Sequence, residues 1–234
     1  MASPGETLSK RVMPRTLVAL SRVTWPARTS AAARRRLHRS GRVELYFAFD
    51  DPSSAVAALE LDRRLGARSV ALGMRPVVRR GIPGDPALED KRIYALEDAA
   101  RRARRIGLEL TRTEPIEPAA CAFLAEWVAD AGREGQHGGA SVRRFCIAAL
   151  RALWFEREAP ELTPAGYGPL WETHVGGAPS TTGARAALAR NERSMRLHWM
   201  YDTPAAWVHG RWYFAHDRPG QICEWLDELG WGER

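Results

Sequence analysis

The stretch that decides the fold is residues 43–54, VELYFAFDDPSS. Its first seven residues are mainly apolar and aromatic, which predicts a buried β-strand. The pair Asp51-Pro52 then supplies a helix N-cap followed by a proline in the first helical turn. Ala55–Leu65 has a helix-forming composition and ends before Gly66. Such a strand-to-helix turn exposes backbone N–H groups at the positive end of a helix dipole, which suits an anion or a thiolate.

Further strands and helices follow in an order typical of an α/β fold. Residues 69–73 read as a second strand, and the β-α-β order predicts a parallel pair with a right-handed crossover. Near the C-terminus, His209-Gly210 turns the chain between two short strands, 205–208 and 211–214. Helical segments are predicted at 91–106, 118–131, 142–157 and 182–199, and a closing helix at 219–229.

Five motifs in this order resemble a known family. They are the apolar strand running into Pro52, then Lys91 with Tyr94 after a Gly/Pro loop, a helical insertion, Pro204 before the hairpin, and Asp217 with Arg218 after it. Their order and spacing resemble the DsbA-like thioredoxin branch, specifically 2-hydroxychromene-2-carboxylate isomerases and kappa-class glutathione transferases. The resemblance covers residues 42–229 and implies an α/β, thioredoxin-like fold with an all-helical insertion at about residues 85–195.

The resemblance also implies a function. A member of this branch would be a glutathione-dependent isomerase or transferase acting on an apolar or aromatic carboxylate. Glutathione, the implied cofactor, would be bound by Thr203, Pro204, Asp217 and Arg218, with a cis bond before the proline. Lys91 would bind the carboxylate of a small-molecule substrate, and Trp199 and Trp212 would line an aromatic substrate cleft.

The reactive turn departs from the family pattern, because Asp51 stands where the family has serine. A carboxylate about 4 Å from a thiolate costs on the order of 4 kcal/mol at an effective dielectric near 20. Asp51 is therefore either only an N-cap or an N-cap that also serves as a general base. Ser53 and Ser54 are the other catalytic candidates, since a hydroxyl there would replace the lost serine. Serines in a first helical turn more often bond to nearby backbone.

A second hypothesis is a redox-inactive thioredoxin-fold binding module that holds an extended peptide or protein partner along the edge at Pro204. Each residue also has a purely structural alternative: Pro204 is a requirement of the fold that is kept without a ligand, and Asp217 and Arg218 form a surface pair that caps the following helix. Lys91 is then a solvated lysine at a helix start, and the tryptophans serve packing.

The cysteines argue against thiol-disulfide chemistry. Cys121, Cys146 and Cys223 are far apart and form no C-x-x-C motif, so we expect no dithiol oxidoreductase activity. Their odd number fits a reducing compartment, and the expected location is cytoplasmic. No apolar run approaches the 18 residues of a membrane span, and no histidine has convincing zinc-ligand spacing.

The net charge of +7 is concentrated at the N-terminus. Residues 1–42 carry ten lysines and arginines against one acid, whereas the remainder carries 25 basic and 27 acidic residues. We therefore expect a flexible basic extension, 1–41, ahead of a nearly neutral domain, 42–234, and no specific nucleic-acid partner. The extension either contacts an anionic surface or protein partner or stays solvated. A homodimer is left open.

Overall fold

The computed structural model describes residues 25–79, 81, 86–132 and 139–233, without the side chains of residues 88 and 89. Within these ranges the elements follow in the order α1 (Trp25–Arg36), β1 (Gly41–Phe47), α2 (Pro52–Leu65), β2 (Val70–Pro76), α3 (Leu88–Arg105), α4 (Pro118–Ala131), α5 (Gly139–Phe155), α6 (Pro164–His174), α7 (Ala184–Leu197), β3 (Ala205–Val208), β4 (Arg211–Phe214) and α8 (Pro219–Glu228). The predicted α/β thioredoxin-like fold is confirmed, and in the described chain the insertion between β2 and β3 consists of the helices α3 to α7.

The sheet has four strands in the order β2-β1-β3-β4. The pair β1 and β2 is parallel, and β3 is antiparallel to both β1 and β4. His209 and Gly210 both have positive φ, 44° and 91°, as a tight two-residue hairpin turn requires. The strand order places β1 in the centre, so the turn that follows β1 lies at the middle of the sheet.

The two faces of the sheet differ in chemistry. Val43, Leu45 and Phe47 of β1 point to one face, where they join the main hydrophobic core with residues of α2 and α8. The alternating residues Arg42, Glu44 and Tyr46 point to the opposite face, together with Arg75, Trp207 and Trp212 of the neighbouring strands. We call this side the second sheet face.

The helical insertion has its own aromatic packing and is tied to the sheet. Trp171 of α6 packs edge-on against Phe145 of α5 at 4.8 Å and against Trp127 of α4 at 5.7 Å between ring centroids. The indole Nε1–H of Trp154 donates to the carbonyl of Phe49, at 3.0 Å, in the turn after β1. The insertion therefore holds the turn after β1 in place through this hydrogen bond.

The segment before β1 was expected to belong to a flexible extension, yet residues 25–36 form the helix α1. Ala31 on this helix is 1% exposed and belongs to the main core, and Arg28 pairs with Glu228 of α8. Residues 1–24 of the predicted extension, and 82–85 of the Gly/Pro loop, lie outside the described residues. None of the helices in the described ranges has the length and apolar character needed to cross a membrane.

Candidate functional site

Asp51 is the N-cap of α2. Its backbone is extended (φ −112°, ψ 111°), and Pro52 takes up the first helical turn. Carboxylate Oδ1 accepts the N–H of Ser53 at 3.1 Å, and Oδ2 accepts the N–H of Ser54 at 3.2 Å. The side chain thus satisfies two N–H groups that would otherwise have no partner within the helix.

The hydroxyl of Ser54 belongs to the same network. It donates to Oδ2 of Asp51 at 2.6 Å and accepts the N–H of Ala48 at 3.2 Å, so it ties the end of the strand to the helix. In contrast, the hydroxyl of Ser53 has no hydrogen bond to any described residue, and Ser53 lies at the limit of burial. Of the two serines, Ser53 is the one whose hydroxyl remains for a ligand.

Thr203 brings the second predicted motif to the turn. Its hydroxyl donates to Oδ2 of Asp51 at 2.9 Å, across 152 positions of sequence. The Thr203–Pro204 peptide bond is cis, and the carbonyl of Pro204 accepts the N–H of Ala215 at 2.9 Å. The Thr203 N–H donates to the Asp202 carboxylate at 2.8 Å. Asp51, Ser54, Thr203 and Pro204 therefore lie together as the sequence predicts.

The chemistry of this cluster follows from the number of hydrogen bonds that the Asp51 carboxylate accepts. Asp51 is 2% exposed and accepts four hydrogen bonds, two from backbone N–H groups and two from hydroxyls. A carboxylate held in this way is an acceptor that organises the turn, and its lone pairs face protein donors. The helix N-terminus that would bind a thiolate or another anion is already capped by the protein's own negative charge.

Asp217 and Arg218 stand apart from this arrangement in their contacts. Asp217 is exposed and pairs with Nη1 of Arg102 on α3 at 2.5 Å and with Nε2 of His216 at 3.2 Å. Arg218 is exposed at the start of α8, and its Nη1 lies 3.5 Å from Oε1 of Gln221. The ion pair with Arg102 joins the end of the hairpin to the insertion, which is a structural use for Asp217.

The three predicted substrate residues do not share one place. Lys91 is exposed in the first turns of α3. Trp199 is 62% exposed in the loop after α7, with φ +60°. Trp212 lies on the second sheet face, with its ring centroid 5.0 Å from that of Tyr46 and 5.2 Å from that of His198. Of these three residues, only Trp212 is among those that line the cleft described next.

A half-open cleft of about 1030 Å³ lies over the second sheet face. Its floor includes Glu44, Tyr46 and Arg75, and one wall is α7. Burial raises the pKa of Tyr46, an effect that the hydrogen bond to Ser194 partly offsets and the charge of Glu44 strengthens. Sequence reasoning missed this cleft. The signal was the alternation in β1, where Arg42, Glu44 and Tyr46 interrupt an apolar strand at every second residue.

The cysteines offer no alternative reaction centre. Cys121, Cys146 and Cys223 are all buried free thiols. Burial raises the pKa of Cys146 well above its usual value and also raises the pKa of Cys223, so the thiolate form is disfavoured. Within the described ranges, no group of three or more His, Cys, Asp or Glu side chains is arranged to hold a metal ion.

Comparison with known proteins identifies the fold of this chain. No family model matches the chain, and no curated protein matches it. A solved 2-hydroxychromene-2-carboxylate isomerase is 17% identical over 80% of this chain and 95% of its own, with a TM-score of 0.59. A probable DsbA oxidoreductase from Streptomyces coelicolor is 13% identical over 81% and 89%, with a TM-score of 0.57. ScsC from Proteus mirabilis is 11% identical over 96% and 92%, with a TM-score of 0.50.

These likenesses agree with the architecture of the described residues. A helix starts directly after the central strand, a helical insertion follows β2, and a cis-proline hairpin meets the helix start. At identities this low the shared property is the fold. This chain therefore has the DsbA-like thioredoxin fold, the fold of the solved 2-hydroxychromene-2-carboxylate isomerase and of DsbA-type oxidoreductases.

Proposed function

We propose that this chain is a redox-inactive thioredoxin-fold protein that works by binding a partner. The observation that carries the proposal is the Asp51 carboxylate, which is buried, accepts four hydrogen bonds and caps α2. In the resembling family this turn serves thiol chemistry. In this chain the Asp51 side chain at the same turn stabilises the start of α2. No thiol stands at either reactive position, Asp51 or Ser54.

The edge at Pro204 is where we expect the partner, an extended peptide or a protein segment. Leu197, Trp199 and Tyr201 are all exposed in the segment that leads to Thr203. Exposed aromatic side chains close together are frequent anchors in protein interfaces. Because the Thr203 N–H already donates to Asp202, such a partner is held chiefly by side-chain contacts.

Restoring the dithiol tests the proposal. The double substitution Asp51→Cys with Ser54→Cys keeps Pro52 and Ser53 between two thiols at the reactive positions. We expect insulin reduction at background level for the wild-type protein and above background for the double variant that is shown to be folded, because it places two thiols beside the cis-Pro204 hairpin. Insulin reduction by the wild-type protein that disappears when Cys121, Cys146 and Cys223 are all changed to serine would overturn the proposal.

Glutathione-dependent isomerase or transferase chemistry is the second candidate. It is favoured by the likeness to the solved isomerase over 95% of that chain and by the free hydroxyl of Ser53, which has no partner among the described residues. Glutathione would be bound by Arg218, Asp217 and the edge at Pro204, and Lys91 would bind the substrate carboxylate. The Asp51 charge beside the sulfur counts against this candidate.

An isomerisation assay decides between the two candidates. The wild-type protein is mixed with a 2-hydroxychromene-2-carboxylate, and the absorbance change is followed with and without glutathione. We expect no glutathione-dependent rate. A rate that needs glutathione and is lost in Arg218→Ala, while Arg151→Ala retains it, would establish the isomerase candidate instead. Arg151 is a suitable control because it is an exposed arginine on α5. A reducing, cytoplasmic setting remains our expectation for either function, and a homodimer stays open.

A further inference from the structure

The cleft over the second sheet face is separate from the turn at Asp51. Its volume is about 1030 Å³, and residues of the sheet, of α7 and of the facing ends of α4 and α5 line it. Asp51, Ser54 and Thr203 are not among the lining residues. Small-molecule sites in proteins commonly have a volume of roughly 300–1,000 Å³. The cleft is thus large enough for an organic ligand with some water.

Positive charge dominates one part of the cleft. Glu44 is only 7% exposed, and its carboxylate accepts a bond from Nε of Arg75 at 2.6 Å and also pairs with Arg42. Two guanidinium groups therefore meet at one carboxylate. The two η-nitrogens of Arg75 have no acceptor among the residues that the structure describes, although a guanidinium edge is well suited to bind two oxygens of an anion.

A third arginine extends this charge from the opposite wall. Arg190 of α7 lines the cleft one helical turn before Ser194, whose hydroxyl is 3.1 Å from that of Tyr46. Tyr46 is paired in register with Arg75. Arg190 makes no hydrogen bond or ion pair within the described ranges. Three arginines against one glutamate leave two positive charges in excess, which matches a phosphate monoester of about −1.5 to −2 at pH 7.

Flat aromatic side chains stand beside the charged part. Trp207 and Trp212 are paired neighbours on β3 and β4, and both line the cleft. The Nε1–H of Trp212 is buried and has no acceptor in the described part of the chain. Buried N–H groups almost always have a partner, and aromatic faces stack on flat rings. A flat ring system in the cleft would contact these indoles.

We propose that this cleft binds a phosphate monoester attached to a flat aromatic ring system, the chemistry of a mononucleotide or a phosphorylated pyridine. Arg75 and Arg190 bind the phosphate oxygens, and Trp207 and Trp212 contact the ring. This site goes beyond the proposed function, because the Asp51 turn and the edge at Pro204 take no part in it. Its failure would leave the proposal for that turn unchanged.

Calorimetric titration of the full chain tests the ligand class. The probes are AMP and pyridoxine 5′-phosphate, with adenosine, inorganic phosphate and 1-naphthoate as comparisons that each lack one feature. We expect at least one phosphorylated ring to bind with a dissociation constant below about 1 mM, and the three comparisons to bind at least about tenfold more weakly. Whichever of AMP and pyridoxine 5′-phosphate binds more tightly shows whether the ligand is a mononucleotide or a phosphorylated pyridine. Binding of neither, or equal binding of adenosine or naphthoate, would overturn the proposal.

Matched arginine variants test the location. Arg75→Gln should raise the dissociation constant of the phosphorylated ring compound by about tenfold or more, since it removes a hydrogen-bonded charge. Arg190→Gln should raise this dissociation constant several-fold, whereas Arg151→Gln, an exposed change on α5, should leave the dissociation constant unchanged. Arg190 is exposed and holds no described residue, so its variant keeps the test valid if Arg75→Gln fails to fold. Wild-type affinity in Arg190→Gln and in any folded Arg75→Gln protein would refute the site.

Discussion

Replacing Asp51 by alanine should strongly destabilise the protein. The substitution leaves two backbone N–H groups and two hydroxyls without their acceptor inside a buried turn. A hydrogen bond to a charged group contributes roughly 1.5–3 kcal/mol, and loss of an N-cap alone costs about 0.5–2 kcal/mol. Because all four bonds end on one carboxylate they do not add, and we expect a loss of about 3–5 kcal/mol, the upper end of what a single substitution costs when it breaks a buried hydrogen-bond network.

Equilibrium unfolding in urea, followed by far-ultraviolet circular dichroism, measures this loss. If the wild-type protein and the variant have the same denaturant slope, their free energies of unfolding can be compared directly. Two smaller changes separate the contributions. Asp51→Asn keeps an oxygen for the cap and should cost about 1–2 kcal/mol. Asp51→Ser also keeps a cap but leaves the hydroxyl of Thr203 without its carboxylate, so it too should cost about 1–2 kcal/mol. A loss under about 1 kcal/mol for Asp51→Ala would refute the structural account of the turn.

Three further changes test other parts of the fold. Ala31→Asp puts a charge into the contact of α1 with the core and should cost about 2–3 kcal/mol in urea unfolding, whereas Ala33→Asp on the exposed side should cost about 0.5 kcal/mol or less; equal losses would show that α1 does not dock. Burial and a neighbouring arginine lower the pKa of His209 below 6.5, so its stabilising contribution is complete above that pH and is lost as the pH falls toward the folded-state value. His209→Asn, which suits the positive φ, should therefore flatten the pH dependence of unfolding below about pH 6.5, and parallel curves would contradict this. The hydroxyl of Tyr167 is buried without a partner among the described residues, and burial raises its pKa to about 12. Tyr167→Phe should leave thermal stability equal or higher, and a loss above about 1 kcal/mol would reveal a partner for that hydroxyl.

Much of the fold follows from local sequence. The bounds predicted for 118–131, 205–208 and 211–214 agree with α4, β3 and β4 residue for residue. Proline at the start of α2, α4 and α8 marks these helix starts because it needs no N–H partner there.

The errors have physical causes. The helix α6, Pro164–His174, went unpredicted because it contains two glycines and an internal proline, and the packing of Tyr167 and Trp171 outweighs that poor propensity. The strand β2 continues to Pro76, past the predicted end at Gly73. A proline is tolerated there because β2 is an edge strand of the sheet.

The candidate site was predictable in part. Local rules identify Asp51 as a cap, and the family resemblance brings Thr203 and Pro204 to it. The bond between Thr203 and Asp51 spans 152 positions, so no local pattern reveals that the carboxylate has a second structural role. The cleft was missed because it forms where α7 crosses the second sheet face, a contact that depends on tertiary packing.

A calorimetric titration of wild-type protein with millimolar glutathione tests the central claim most directly, since the claim is that Asp51 at the start of α2 is a structural cap. The account predicts no saturable heat for the wild-type protein. Saturable binding that is lost in Arg218→Ala but kept in Arg151→Ala would contradict it, because glutathione would then occupy the turn despite the Asp51 carboxylate.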